Sequence, residues 1–486
     1  MTANEQKTVI DEKHSMPSIL VEIMDVLKDL HPNASYNCKL NILLAKTAQL
    51  IGFKRVKLQE YEHSTCKISN HYAINFMSSG AGKDRIASDM DLYIFKNFIE
   101  YFKQKAKDYK QEQEVVIEQE AMENFSGDKQ KTRRSDYIRN EKEKLRDLDI
   151  EINLATPEGF FSDAEVLKKA GFGSLFVKLS EFGVFIQKGR QEDYLFLNCL
   201  FDAYDGKISS KSTKYDKRKA SIEDMPVNIL LHSDPTAFKT DIQKYFTQLM
   251  QIGLARRAFV SFQVSEKNLI EFDPQKAKII QEQAYGKAKS INERLFNLFM
   301  KIPSNAVYKL SNGAFENVFH PYKVKTTELY NQNEDDEMIG KEILSREFKS
   351  LKLACIYACL NHPEDPIINE NDFIQAITTV EKLSIDLKKF LAYDPEGKDL
   401  NERLFHFLLA RLDTPFKKTE LVNASRQFHV RSAELRKNYD KFIKEVSKMA
   451  LDNGYYLRKE LINNNSGIEV TLTKQTEPKG FGIEDL

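Results

Sequence analysis

The chain has 486 residues, which predicts about three domains at the usual domain size. Its 72 basic residues balance 72 acidic ones, which excludes a uniformly basic nucleic-acid-binding surface but not a local basic patch. Hydrophobic residues make up 41%, enough to bury sizeable cores, and the five scattered cysteines, without a CxxC pair, are typical of a reducing cytoplasm.

The N-terminal part begins with a polar tail and continues as helices. Residues 1–16 predict a disordered tail without the apolar core of a signal peptide. Residues 17–65 form a predicted helical region, with two apolar stripes in 17–52 separated at Pro32–Asn33. No run of the chain reaches the roughly 18 apolar residues of a membrane span.

A predicted core occupies residues 66–320 and opens with a strand, a glycine-rich turn and a helix. The apolar segment Tyr72–Phe76 predicts the strand, residues 78–82 the turn, and Ile86 to Phe102 an amphipathic helix. A highly charged insertion at about 103–149, broken at Ser126–Gly127, predicts a helical hairpin or coiled-coil arm. Two solvated helices without any chemistry are the simpler interpretation of this arm.

The remainder of the core alternates strand and helix patterns. Apolar runs predict strands at residues 150–154, 175–179, 227–231 and 258–262, with helical patterns at 164–170 and 193–204 between them. This alternation predicts an α/β fold with a mostly parallel sheet.

Two further modules follow the core. Residues 321–336 predict a polar connection, and residues 338–395 predict a helical bundle. In 398–475, three helical patterns precede a terminal β-hairpin, which is the outline of a winged-helix-like domain.

The turn after the first strand of the core carries the main chemical signal. A P-loop binds phosphate through backbone N–H groups at a helix N-terminus, and its lysine adds a positive charge at the β- and γ-phosphates. These features predict ATP and Mg²⁺ as ligands of Ser79, Gly80, Ala81, Gly82, Lys83 and Asp84.

Two residues depart from the usual P-loop pattern. Met77 stands where a first glycine is expected, and Asp84 stands where Ser or Thr normally holds Mg²⁺. The Asp84 carboxylate could itself ligate the metal, because Mg²⁺ prefers hard oxygen ligands, or it could repel the phosphates. The alternative to a P-loop is a glycine turn followed by a surface lysine.

Three residues further along the core are candidates for hydrolysis. Glu181 follows an apolar strand and could activate the attacking water, although an ordinary strand-end glutamate fits as well. Ser233, or its neighbour His232, directly follows the strand 227–231 and could contact the γ-phosphate; a turn at Asp234–Pro235 is the alternative. Arg257 could stabilise transition-state charge at a neighbouring subunit, or belong to a surface pair with Arg256.

The C-terminal module carries a cluster of basic residues around its helix-turn-helix pattern. Their charges could neutralise DNA phosphates, and a module that serves protein contacts is the alternative. The cluster consists of Lys417, Lys418, Arg426, Arg431, Arg436 and Lys437.

The order of these features resembles the RecA-like replication ATPases of phages and prophages, which are related to DnaB-type helicases. The resemblance covers about residues 17–380 and rests on ordered short motifs. The matching segments are Asn75–Asp84, the charged arm, Ala155–Gly159, Gly173–Glu181, Asn198–Gly206, Pro226–Pro235 and Gly253–Phe262.

This resemblance implies a RecA-like P-loop core in a homo-oligomeric ring, with the nucleotide between subunits. Lys83 carries over as the phosphate-binding lysine, Glu181 as the strand-end glutamate and Arg257 as the late arginine. The expected function is an ATP-dependent motor or helicase-like protein of phage or mobile-element DNA replication. It would act in the cytoplasm of a bacterial host on DNA, single-stranded in the leading interpretation, and with other replication proteins but no membrane.

Two other functions remain open. Met77, Asp84 and Ser180 favour a non-catalytic scaffold or DNA-binding protein with a degenerate P-loop. A DNA-translocating or packaging ATPase would share the core, but the sequence shows no acidic nuclease cluster in a suitable context.

Overall fold

The computed structural model describes the greater part of the chain, which divides into two compact units, Met1–Ala392 and Tyr393–Leu486. Met16, the last residue of the predicted tail, is buried, and the rest of the tail lies outside the described residues. The described residues are 16–78, 81–127, 130–153, 156–180, 191–209, 221–235, 253–263, 273–333, 337–392, 400–409, 411–424, 432–452, 455–461 and 468–474.

Helices and parallel strands give the first unit a mixed α/β fold, as predicted. Its strands are β1 Lys57–Gln59, β2 Lys67–Ile68, β3 Tyr72–Met77, β4 Leu175–Leu179, β5 Ile208–Ser209, β6 Ser221–Ile222, β7 Val227–Ser233, β8 Phe259–Gln263, β9 Val307–Leu310 and β10 Ile367–Ile368. Its helices are α1 Ser18–Leu30, α2 Tyr36–Phe53, α3 Lys83–Asp89, α4 Lys96–Asn124, α5 Lys131–Lys144, α6 Pro157–Ala170, α7 Gln191–Ala203, α8 Leu254–Arg257, α9 Pro274–Lys301, α10 His320–Asn331, α11 Glu337–Asn361 and α12 Glu370–Ala392. None of the helices in the described part of the chain combines the length and apolarity needed to cross a lipid bilayer.

The central sheet is parallel and has the strand order β4-β7-β3-β8. All residues of β3 and β7 are buried, because helices cover both faces of the sheet. Side chains alternate along β3, so that Ala73 and Met77 share a core with α2 while Ile74 and Phe76 share a core with α6 and α7. The predicted strands at 72–76, 175–179, 227–231 and 258–262 are therefore confirmed, with small shifts in their ends.

Helix α12 covers the β8 side of this sheet. The ring of Phe390 stacks on that of Phe76 with a centroid distance of 3.9 Å and an interplanar angle of 8°. The carboxylate of Asp386 accepts a hydrogen bond of 3.2 Å from the backbone N–H of Phe262. The end of α12 therefore packs directly on the central sheet and does not belong to a separate helical bundle.

A second, mixed sheet joins distant parts of the first unit, with the order β10-β9-β1-β2. Strand β1 lies parallel to β9, which lies parallel to β10. The segments that the sequence divides into an N-terminal region, a core and a helical bundle thus share one compact unit. These strands have only two to four residues, which is too short for a hydrophobic pattern to predict them.

Two segments differ from their predicted structure. Residues 321–336, predicted as a polar connection, contain helix α10, because Pro321 occupies the first turn where proline is tolerated and Tyr322 and Thr326 bury one face. Residues 150–154, predicted as a strand, contribute one bridge between Ile152 and Val177, while residue 154 lies outside the described part.

The charged segment after α3 forms two helices, α4 and α5, that pack along each other. A π-helical turn, Met90–Ile94, joins α3 to α4. The ammonium of Lys142 on α5 lies 2.6 Å from a carboxylate oxygen of Glu118 on α4, and the rings of Phe125 and Tyr137 are 5.5 Å apart. These contacts are mostly exposed, so each ion pair contributes little to stability.

The second unit has a separate apolar core built on three helices and a small antiparallel sheet. The helices are α13 Leu400–Leu409, α14 Lys418–Ala424 and α15 Ser432–Asp452, and the strands are β11 Phe416–Lys417, β12 Tyr455–Leu461 and β13 Ile468–Lys474. The sheet order is β11-β13-β12, and Val446, Val470 and Leu472 are buried in the core. The helix and hairpin elements predicted here from the sequence are confirmed.

Candidate functional site

The loop 78–82 connects the central strand β3 to helix α3. Strand β3 extends one residue further than predicted, through Met77, which is buried and pairs with Gln263. Gly82 has a φ of 83°, in the left-handed region that favours glycine, and the helix begins at the next residue. The N–H of Ile86 donates to the carbonyl of Gly82 at 2.9 Å, the first bond of the helix. Ser79 and Gly80 lie outside the described residues.

Lys83 is the first residue of α3, and only 7% of its surface is exposed. Asp84, the next residue, is exposed in the first turn of the helix, where a negative charge is favoured by the helix dipole. The two charged residues that the sequence assigns to phosphate and metal therefore differ sharply in burial.

The strand order places this loop at a crevice in the sheet. The chain leaves β3 toward Ile152 and β4, passing β7, whereas it leaves β7 toward β8, passing β3. Because these two connections run in opposite directions, α/β sheets are expected to bind ligands in a crevice at this point, outside the carboxyl ends of β3 and β7. The loop 78–82 lies at one wall of this crevice and the end of β7 at the other.

Strand β7 continues two residues beyond its predicted end at residue 231. His232 and Ser233 pair with Asn75 and Phe76, and both are fully buried because the strand continues to Ser233. The hydroxyl of Ser233 donates to the carbonyl of Asp234 at 3.3 Å. Ser233, a predicted ligand, thus lies at the same edge of the sheet as the loop 78–82, but its side chain is buried.

His232 is a buried neutral imidazole surrounded by lysines. Burial, followed by the positive charges of Lys83, Lys178 and Lys46, lowers the pKa of His232 to about 3. Its Nε2 atom has no hydrogen-bond partner among the described residues. A buried polar atom without a partner is unfavourable and is commonly found where a ligand or water binds.

A network of buried side chains supports the loop from the α2 side of the sheet. The Oδ1 atom of Asn75 accepts hydrogen bonds from Asn41 Nδ2, at 2.9 Å, and from the hydroxyl of Ser261. Asn41 also donates to the carbonyl of Phe259 at 2.9 Å and contacts Nε2 of His71 at 3.1 Å. Sequence analysis missed this network, although Asn41 and Asn75 are polar interruptions of apolar segments.

A cluster of ion pairs lies on the same side of the sheet. Lys46 of α2 is 1% exposed and pairs with Asp91 at 2.9 Å and with Glu151, which also pairs with Lys178 at 3.3 Å. Burial favours the neutral acid, but the charges of Lys46 and Lys178 outweigh it and lower the pKa of Glu151. This cluster anchors the segment after α3 to the sheet.

The predicted catalytic Glu181 lies outside the described residues. Strand β4 ends at Leu179, which pairs with Leu231, so the chain arrives at the same edge of the sheet as the loop 78–82. Ser180 is half-buried at that end.

Arg257 lies at the opposite edge of the sheet. It ends α8, directly before β8, and β8 separates it from the loop edge by the length of five residues, roughly 16 Å. Its guanidinium stacks 4.0 Å from the Phe201 ring centroid and pairs with Asp205 at 3.3 Å. Arg257 therefore does not reach the loop 78–82 of its own chain.

The basic residues of the second unit are described only in part. Lys417 and Lys418 are exposed, and the ammonium of Lys418 lies 4.8 Å from the ring centroid of Tyr439. Arg426 and Arg431 lie outside the described residues. Arg436 and Lys437 belong to α15, but their side chains are outside the described part.

No model of a known protein family matches the chain, and no curated protein matches its sequence. Within the described ranges, no group of three or more His, Cys, Asp and Glu residues could hold a metal ion. The chemistry available at the crevice is that of a lysine at a helix N-terminus, a glycine-rich loop and a neutral imidazole. Lysines and glycine-rich loops at helix N-termini are common phosphate-binding elements in other proteins.

Proposed function

We propose that the chain is a P-loop nucleoside triphosphatase that binds ATP at the crevice between β3 and β7. One relationship supports this function above the others: Lys83 is the buried first residue of a helix that follows the central parallel strand through a left-handed glycine. In this function, the backbone N–H groups of residues 78–82 and the helix N-terminus hold the phosphates. Lys83 adds its charge at the β- and γ-phosphates.

Two further side chains complete the proposed reaction. Glu181 orients and polarises the attacking water from the end of β4, the second strand from β3 in the sheet. His232 or Ser233 contributes from the end of β7, the strand that lies between β3 and β4 in the sheet. The unpartnered Nε2 of His232 could donate to or accept from a phosphate oxygen or the water, depending on its tautomer.

Mg²⁺ is the cofactor of such a reaction, and Asp84 is the residue that would hold it. The carboxylate of Asp84 is exposed next to Lys83 and is a hard oxygen ligand, so its chemistry fits the ion. Mg²⁺ would neutralise charge that develops on the transferred phosphate.

The wider proposal is a RecA-like motor or helicase-like protein of phage or mobile-element DNA replication. The parallel sheet, the strand inserted between β3 and β4, and the position of Arg257 at the opposite edge are compatible with it. In a ring, Arg257 would face the nucleotide of the next subunit and the winged-helix-like second unit would hold DNA. Arg257 would first have to leave Asp205.

The test is ATP hydrolysis by the wild-type chain and the Lys83→Ala variant, with and without single-stranded DNA. We expect turnover to fall at least about a hundredfold in this variant, because a preorganised charge at the phosphates is lost. Lys96→Ala, an exposed lysine one helix later, is the matched control and should retain wild-type turnover. Unchanged turnover in Lys83→Ala would refute the assignment of the site.

The Glu181→Gln variant separates binding from chemistry. It should keep ATP affinity but lose turnover that is stimulated by single-stranded DNA. Full turnover in Glu181→Gln would remove this residue from the proposed mechanism while leaving the role of Lys83 intact.

A second candidate function is a scaffold with a degenerate P-loop, and the exposed carboxylate of Asp84 favours it. Asp84 replaces the hydroxyl that normally holds the metal, and Met77 is part of the strand. Equilibrium binding of labelled ATP, with and without Mg²⁺, discriminates between the two functions. Absence of binding at millimolar nucleotide would favour the scaffold.

A further inference from the structure

A separate pocket of about 570 Å³ opens at the amino edge of the central sheet, on the side opposite the loop 78–82. Residues before β3, the turn after α7, helix α8 and helix α11 form its walls. Its volume falls in the range of about 300–1,000 Å³ that is usual for small-molecule sites.

The walls of this pocket are strongly basic. They carry five cationic side chains, Lys67, Arg256, Arg257, Lys341 and Lys352, and the carboxylate of Asp205, which pairs with Arg257. Glu60, outside the lining, pairs with Lys67. Among the described residues, the five cations outnumber the carboxylates of Asp205, Glu60 and Glu347 that interact with them, and a concave, low-dielectric wall strengthens their combined field.

Lys352 is the buried cation of this pocket. Its ammonium donates to Asn70 Oδ1 at 2.7 Å and to the carbonyl of Tyr204 at 2.6 Å, and it lies 3.5 Å from the ring centroid of Tyr204. Burial lowers the pKa of Lys352 to about 7, with Asp205 opposing and Arg257 and Lys67 adding to the decrease. An ammonium has three N–H donors, and these two oxygen atoms use two of them.

The guanidinium of Arg257 is, after the Lys352 ammonium, the second unusual basic group of this pocket. Its Nη1 atom is buried and has no hydrogen-bond partner among the described residues, although Nη2 pairs with Asp205. Buried donors are nearly always satisfied, so this guanidinium has a hydrogen-bonding capacity that the described residues leave unused beside the pocket. Arg257 and Lys352 thus place positive charge on two walls of the pocket, one formed by α8 and the other by α11.

The remaining wall is apolar. Leu344 and Phe348 of α11 line the pocket with 38% and 40% of their surfaces exposed, which leaves an apolar patch beside the cations. An aromatic or apolar group that is joined to a multiply charged anion matches both parts.

We propose that this pocket is a second ligand site, which binds a small nucleotide-like molecule through a di- or triphosphate group, independently of Lys83. The phosphates lie against the cations of α8 and α11, and the organic group lies against Leu344 and Phe348. The site does not depend on ATP hydrolysis at the loop 78–82, so either site can exist without the other.

Cys66 provides a local reporter of this pocket, because it lines the pocket and is exposed while Cys38, Cys355 and Cys359 are buried. The experiment uses the full chain with Lys83→Ala, which removes the proposed loop site, and Cys199→Ser, which removes the half-buried thiol. Labelling of Cys66 by an uncharged maleimide is followed at constant ionic strength with increasing sodium tripolyphosphate. We expect saturable, severalfold slower labelling at millimolar tripolyphosphate.

The Arg256→Gln/Lys341→Gln double variant tests the cations, and Lys278→Gln/Lys289→Gln on the exposed face of α9 is the matched control. Loss of a charge-assisted hydrogen bond should raise the half-saturating concentration at least about tenfold in the double variant. The control should behave like the parent. Continued resistance of the three buried cysteines to labelling shows that each variant is folded.

Three results would overturn the proposal. They are labelling of Cys66 that tripolyphosphate does not slow, equal protection in the double variant, and protection by a single-stranded oligonucleotide but not by tripolyphosphate. The third result would identify the backbone of a nucleic acid as the ligand. None of these results depends on whether the loop 78–82 binds ATP, because Lys83 is absent throughout.

Discussion

The side-chain amide of Asn75 lies 3.4 Å from Nδ1 of His232, across the two strands whose carboxyl ends flank the loop 78–82. Both residues are fully buried, and Asn75 also accepts hydrogen bonds from Asn41 and Ser261. The crevice therefore has a polar floor that links α2, β3, β7 and β8. Substitutions in this buried network should affect both the stability of the first unit and the loop 78–82.

Asn75→Ala should destabilise the first unit by about 2–3 kcal/mol, because it leaves buried donors of Asn41 and Ser261 without one acceptor. Urea-induced unfolding, followed by tyrosine fluorescence, measures this loss. Asn124→Ala, at an exposed helix end, should stay within about 0.5 kcal/mol of wild type. Equal effects of the two substitutions would mean that the buried network contributes nothing.

Stability should fall on mild acidification, in part because of His232. Its pKa is about 3 in the folded chain and 6.5 ordinarily, so the unfolded chain binds more protons between these values. The free energy of unfolding should therefore decrease as the pH falls from about 6.5, by at most about 1.4 kcal/mol per pH unit from this group.

His232→Leu should make this pH dependence shallower, although buried His71, with a pKa also lowered to about 3, still contributes. Unfolding free energies between pH 7 and the acid transition provide the measurement. His63→Leu, at an exposed histidine, is the control. Parallel curves for wild type and His232→Leu would contradict the buried neutral state.

Gly82→Ala and Gly286→Ala should change stability in opposite directions. A Cβ at either glycine meets no atom within 4 Å, so backbone conformation alone decides the effect. Gly82 has a φ of 83°, and alanine there costs about 1–2 kcal/mol. Gly286 lies inside helix α9, where alanine gains about 0.5–1 kcal/mol. Thermal unfolding measures both; changes of the same sign would show that loop 78–82 does not hold the left-handed turn.

Asp84→Asn should weaken the Mg²⁺ dependence of ATP binding if the site works as proposed. Loss of one carboxylate should raise the half-saturating Mg²⁺ concentration by at least about tenfold, the loss typical even for outer-shell partners of a metal. Titration of Mg²⁺ at fixed labelled ATP gives this number. Tighter ATP binding by Asp84→Asn without Mg²⁺, and no change with it, would instead identify Asp84 as a repulsive group.

The local patterns around Lys83 were sufficient to predict the strand, turn and helix. Apolar residues in Tyr72–Phe76 and the glycines that follow are short-range signals, and the structure confirms the strand and the helix, with Gly82 left-handed directly before the helix. The parallel pairing of the other strands follows from the alternation of strand and helix patterns. Helix α10 was missed because its residues are polar apart from a narrow face that includes Tyr322 and Thr326, which only tertiary packing reveals.

Contacts between distant segments were beyond the reach of such patterns. The apolar run predicts a strand that ends at residue 231, yet pairing with β3 extends the strand over His232 and Ser233. The basic pocket unites Lys67, Arg256 and Lys352, which are far apart in the sequence. Each is an ordinary surface cation in its own segment, and only the packing of α11 against α8 brings them together.

The stacking of Phe76 on Phe390 also bears on folding during synthesis, because the ribosome makes these two residues at different times. The ribosome completes β8 at Gln263 but supplies Phe390 at the end of α12 roughly 130 residues later, which takes about 6–25 s at about 5–20 residues per second. During this interval the β8 side of the sheet lacks its permanent cover. A nascent chain of this protein would therefore expose this apolar face of the sheet until the end of α12 leaves the exit tunnel.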